Sequence, residues 1–151
     1  MNLFSHLLAP TDGSPLSREA AGRAVVIAAA MGARVTFFHA KPERRMSFFG
    51  GEGGGFVDQM PAEEFDRQTQ LHARAHLDEL EAAARAVGVA SECVIADAGA
   101  PYEGIIEVAM ARGCDLIVMA SHGRRGIKSL ILGSETQKVL THSKIPVLVY
   151  R

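Results

Sequence analysis

Residues 114–123 read CDLIVMASHG, and from Leu116 to Ala120 no polar side chain interrupts the run. A strand with one face in water alternates polar and apolar residues. A run without alternation suits a strand covered on both faces, as in a parallel sheet flanked by helices. The segment before it, GAPYEGIIEVAMARG (99–113), reads as a helix. Pro101 stands near its start, where a missing amide hydrogen costs nothing, and Gly113 supplies a stop. Beyond the strand come a helical segment, SETQKVLTHS (134–143), and a closing apolar strand, IPVLVYR (145–151).

The same alternation extends toward the N-terminus. LFSHLLA (3–9) is a first strand, ended by Pro10 and the turn residues TDGS. Ser14 is a good helix cap and Pro15 a good first helical residue, so a helix runs through LSREAAGRAVVIAAAM to a stop at Gly32. The flanking alanines, the cap and the length outweigh the strand-like Val25, Val26 and Ile27. ARVTFFHA (33–40) is the second strand. Ala62 to Val87 is helical, with Leu77, Leu80, Ala84 and Val87 on one face, and VASECVIADA (89–98) is the third strand. Strands alternating with helices imply a doubly wound, five-stranded parallel sheet with helices on both faces. Ligands of such sheets bind at the carboxyl ends of the strands, where the strand order reverses. That edge receives the loop APTDGS after strand one, the His39–Ala40 end of strand two, and the chain from Met119 onward.

The chain has 151 residues and a formal net charge of -1, which suits a single domain and offers no broad positive footprint for nucleic acid. No helical apolar segment is long enough for a membrane span, and MNLFSHLLAPTDGS reads as a first strand rather than a signal peptide. A cytoplasmic protein is the expectation. Cys93 and Cys114 have no metal-ligand spacing and read as buried thiols. His72 and His76 are one helical turn apart but lack a third ligand, and His6, His39 and His142 show no ligand spacing either.

Two stretches remain. Residues 41–61 place five glycines in six positions, broken by Glu52, and read as a flexible insertion loop. Phe48, Phe49 and Phe56 keep open its use as a partner-binding segment. The other stretch is MASHGRRGIKSLILGSET (119–136). It fails as a Walker loop, because two residues rather than four separate Gly123 from Gly126 and no Lys-Ser pair follows directly. The loop after strand one lacks the dinucleotide fingerprint, and no nucleophile elbow or zinc-protease motif occurs. What remains is Gly123, a nine-residue spacer, and Gly133-Ser134 with Thr136 beyond. Gly123 permits close backbone approach to a phosphate. The amides at the start of the following helix favour an anion, and the Ser134 and Thr136 hydroxyls can donate to it.

As a set, HLLAPTDGS, the HA ending strand two, DLIVMASHG with its spacer and GS, and IPVLVY resemble the universal stress protein family, in its nucleotide-binding branch. The resemblance covers nearly the whole chain. It implies a sheet in the order 3-2-1-4-5. It also implies a site for ATP, AMP or ADP, with or without Mg²⁺, at the ends of strands one, two and four. Pro10, Thr11 and Asp12 would lie beside the nucleotide. Ala40 and Met119 would line the adenine, and Ala120 and His122 would flank the ribose and first phosphate. Gly123, Gly133, Ser134 and Thr136 would hold the phosphates, and the charge of Arg124 would attract the phosphate tail. Glu135, a carboxylate among phosphate ligands, is expected to face solvent or a metal. Ala120 stands where the family motif has its first glycine.

The resemblance further implies a homodimer through residues 145–150 and a nucleotide-dependent regulator of stress responses. No nucleophile–base–orienter set is visible, so at most slow ATP hydrolysis is implied. An alternative is a nucleotide-free interaction module built on the 41–61 loop. A flavodoxin-like carrier fits less well, because the chain has no Trp and only two Tyr to flank a flavin.

Overall fold

The computed structural model describes residues 2–42, 47–48, 56–57, 60–123 and 131–151. In order, the chain forms β1 (His6–Pro10), α1 (Pro15–Met31), β2 (Arg34–Lys41), β3 (Ser47–Phe48), β4 (Phe56–Val57) and α2 (Ala62–Ala86). It continues through β5 (Ser91–Asp97), α3 (Pro101–Ala111), β6 (Leu116–Ala120), α4 (Ser134–His142) and β7 (Val147–Tyr150). Five strands make one sheet in the order β5-β2-β1-β6-β7, with every pairing parallel. Counting only these five strands, the order is 3-2-1-4-5. The reversal falls between β1 and β6, the kind of point at whose carboxyl ends open α/β sheets bind their ligands.

Alternation along the central strands divides the interior into two layers. Leu7, Val35, Phe37 and Val118 point to one side, where Ala21, Ala24 and Ala28 of α1 and Leu77, Leu80 and Ala84 of α2 cover them. Leu8, Phe38, Ile117 and Met119 point to the other, against Ile105 and Ala109 of α3 and Val139 of α4. All five residues of β6 are buried, which accounts for its unbroken apolar run. Alanines on the inner face of α1 let that helix lie close to the sheet. Gly104 does the same for α3, since a methyl there would lie 2.8 Å from the Ala98 Cβ and 3.1 Å from the Phe38 ring. Ser14 caps α1 by accepting from the Ser17 amide, and Gly32 ends it at φ 64°, a left-handed conformation that favours glycine.

The carboxylate of Asp115 ties the sheet's opposite end together. It accepts from the amides of Ser5 and His6 at 2.9 and 3.0 Å. Burial alone would raise its pKa, but these donors outweigh burial and hold it below the ordinary carboxylate range. Cys93 is half-buried and Cys114 buried, both free. Burial pushes their thiols up to about 12 and about 11 respectively, so neither is a ready nucleophile.

Three expectations are corrected. The first strand begins at His6, and Leu3 is exposed. Val87 is exposed rather than on the inner face of α2, because the helix ends at Ala86 and the chain turns there. The 41–61 segment is not all loop: Ser47–Phe48 and Phe56–Val57 pair antiparallel. Phe49 and the glycine run lie outside the described residues. Among the described residues, no helix is long and apolar enough to cross a membrane.

Candidate functional site

Three chain segments converge at the carboxyl ends of β1 and β6. The first is Thr11–Ser14, which closes on itself. Asp12 Oδ1 accepts from the Ser14 amide at 2.9 Å and from the Ser17 hydroxyl at 2.8 Å. Thr11 Oγ1 accepts from the Gly13 amide at 3.2 Å and lies 3.0 Å from Ser17 Oγ. Gly13 sits at φ 81°, which the turn into α1 requires. Pro10 and Thr11 are buried, and Asp12 is half-buried.

The second segment is Ser121–Gly123. The Ser121 amide donates to the Tyr150 carbonyl at 2.7 Å, continuing the sheet by one bond. Ser121 Oγ lies 3.1 Å from His122 Nδ1. Gly123 passes so close to Asp12 that a methyl on its Cα would collide with Asp12 Oδ2. A side chain at Gly123 would therefore displace the Asp12 carboxylate.

The third segment is the start of α4. The Gly133 amide donates to the Ser121 carbonyl at 2.7 Å, which brings the two ends of the nine-residue spacer together. A methyl on Gly133 would lie 3.1 Å from His122 Cα and 3.2 Å from the Ser121 carbonyl oxygen, tighter than an ordinary contact. Gly133 occupies the cap position and brings no side-chain cap. Ser134 is the first helical residue, and it is exposed. The first amides of a helix lack intrahelical acceptors, so this end presents N–H donors and the positive end of the helix dipole.

The two residues after Ser134 anchor the helix. The Thr136 hydroxyl is buried and donates to the Ala120 carbonyl at 2.9 Å, so its proton is committed to the fold. Glu135 differs from the sequence expectation, which pointed it to solvent or a metal. Its Oε2 accepts from the Tyr102 amide at 2.8 Å, and Lys138 Nζ lies 3.3 Å from Oε1. The physical reason is α3, whose own cap residue, Ala100, has no side-chain acceptor; Glu135 caps it from α4.

Met119 is buried in the core layer with Leu8, Phe38 and Val139, so its side chain packs inward and only its backbone reaches the sheet edge. Ala40 is half-buried against the same layer. Ala120 ends β6 in ordinary extended backbone, and no described non-glycine residue has positive φ. Strand alternation puts its methyl on the side of Leu116 and Val118, toward α1. Arg124, with Arg125, lies outside the described residues. Sequence reasoning missed Ser17, Ser121 and His39. Ser17 was legible as the amide partner of the Ser14 cap, three residues on. The other two are visible only once the loops are folded.

A parallel α/β sheet with a two-glycine loop at its reversal point is a Rossmann-like domain built around a crevice at the strand ends. The chain belongs to the universal stress protein family, whose model matches residues 3–151. It is 30% identical over 149 residues to universal stress protein YxiE of Bacillus subtilis, covering 99% of this chain and 100% of that protein. Among solved structures it is similar to MJ0577 of Methanocaldococcus jannaschii, with TM-score 0.78, 26% identity, and 97% and 95% of the two chains covered. It is also similar to a universal stress protein in complex with cAMP, with TM-score 0.67, 27% identity, and 98% and 97% covered.

Proposed function

We propose that this chain binds an adenine nucleotide in the crevice between β1 and β6 and acts in the cytoplasm as a nucleotide-dependent regulator. The start of α4 carries the reading. It lacks a side-chain cap and lies across the crevice from Asp12, with Gly123 between them. A phosphate there accepts from the amides of Ser134 to Thr136 and from the Ser134 hydroxyl. The intervening sequence adds Arg124, Arg125 and Lys128, charges that complement an anion. Asp12 is an acceptor and repels phosphate, so it suits the donor groups of the ligand, the ribose hydroxyls and the adenine amine. His122 and the backbone at Ala40 and Met119 flank the same crevice. The relative bound to cAMP supports an adenine ligand.

Mg²⁺ has no prepared seat among the described residues. Asp12 Oδ1 already accepts two hydrogen bonds, and Glu135 is engaged by Tyr102 and Lys138. No described cluster of three His, Cys, Asp or Glu side chains could hold a metal. The reading is of binding, with at most slow ATP hydrolysis.

The edge strand β7 extends it to a homodimer. Val147–Tyr150 pairs with β6 on one side only, and Leu148 is exposed. Pairing with a second copy covers that edge. Calorimetric titration of ligand-stripped protein with ATP, ADP and AMP tests the nucleotide, and absence of heat at millimolar concentration contradicts it. Sedimentation of wild type against Val149→Pro tests the dimer, and a wild-type monomer rules it out.

A further inference from the structure

His39 lies near the end of β2, on the strand face shared with Val35 and Phe37, and is only 5% exposed. Its Nδ1 lies 3.0 Å from the carbonyl oxygen of Thr11. A carbonyl only accepts, so Nδ1 carries the proton. The ring is held from behind by His76 of α2, with centroids 4.9 Å apart and planes inclined at 59°. His76 is itself fixed, because its Nδ1 lies 3.1 Å from the His72 carbonyl one turn earlier.

Thr11 is thus held on both sides of its backbone. Its amide donates to the Phe38 carbonyl at 2.8 Å, a bond any residue at position 38 could accept. Its carbonyl takes the His39 proton, a bond that only a donor side chain at position 39 supplies. The Thr11 carbonyl belongs to the peptide plane that leads into Asp12. Rotation of that plane carries the Asp12 amide away from Ser17 Oγ, 3.4 Å from it, and so loosens the turn in which the Asp12 carboxylate meets Ser14 and Ser17.

We propose that His39 is a positioning residue for the nucleotide crevice: its Nδ1–H fixes the Thr11–Asp12 peptide and so aims Asp12 across the β1–β6 gap. The geometric part stands alone. The consequence for ligand binding rests on the nucleotide reading above.

Two amide substitutions separate donor position from bulk. The side-chain nitrogen of His39→Asn falls near the place of Nδ1; that of His39→Gln falls near Nε2. Amide hydrogen exchange of Gly13 and Ser14 is measured in nucleotide-free protein, with AMP affinity measured in parallel by calorimetry. His39→Gln is expected to speed exchange at both amides and weaken AMP by about tenfold each, the effect of one lost buried hydrogen bond. His39→Asn is expected to restore both toward wild type. Equal behaviour of the two variants, in exchange or in affinity, overturns the proposal. If wild type binds no AMP, the nucleotide reading fails, and the exchange comparison alone still decides whether His39 sets the loop.

Discussion

Helices α1 and α4 begin at the same edge of the sheet, on either side of one crevice, and they begin differently. The start of α1 is closed. Ser14 takes the Ser17 amide, Asp12 takes the Ser14 amide, and Thr11 takes the Gly13 amide. The start of α4 has a glycine at its cap and no side-chain acceptor. A third helix, α3, would share that condition but borrows Glu135 as its cap. Donors satisfied within the protein have nothing to offer a ligand. The contrast shows why a helix N-terminus alone is weak grounds for an anion site: of the four helices that follow strands at this edge, α1 and α3 have side-chain partners, while α2, with Pro61 at its cap, and α4 have none.

The comparison breaks most severely at Gly133. Gly133→Val forces a branched side chain onto His122 and the Ser121 carbonyl, and the expected cost is about 1–3 kcal/mol of stability with loss of nucleotide binding. Urea unfolding and calorimetry read the two effects. Thr136→Val keeps shape but removes the buried donor to Ala120. It is expected to cost about 1.5 kcal/mol in urea unfolding and to weaken nucleotide, because the start of α4 loses its anchor.

The next two substitutions separate the helix starts. Ser14→Ala removes the cap of α1 and is expected to cost about 1 kcal/mol by thermal unfolding, with nucleotide affinity unchanged. Ser134→Ala is expected to do the reverse. Stability should move by less than about 0.5 kcal/mol for this exposed side chain, while AMP binding weakens several-fold by calorimetry. If Ser14→Ala weakened nucleotide more than Ser134→Ala, the open and closed assignments would have to be exchanged.

Much of this was legible in the chain itself. The doubly wound sheet follows from apolar runs such as Leu116–Ala120 and from capped helices, because both signals are local. The strand order came from family resemblance, and Gly123 and Gly133 from their spacing. Glu135 was not legible, since its partner is the amide of Tyr102, 33 residues away, on a helix whose weak cap matters only once α3 and α4 are adjacent. Thr136 had the right chemistry for a phosphate ligand, but its proton goes to Ala120. His39 showed no ligand spacing, and nothing near it in sequence reveals the Thr11 carbonyl. In each case the missing information was a tertiary contact between segments distant in sequence.

The most direct test of the central claim is an AMP titration of uniformly ¹⁵N-labelled protein, followed by amide chemical shifts. The account predicts that the largest shifts fall on Gly123, Ser134, Glu135 and Thr136, with Ser17 and the Tyr102 amide nearly still. No shifts at millimolar AMP, or shifts centred on the starts of α1 or α3 instead, would contradict it.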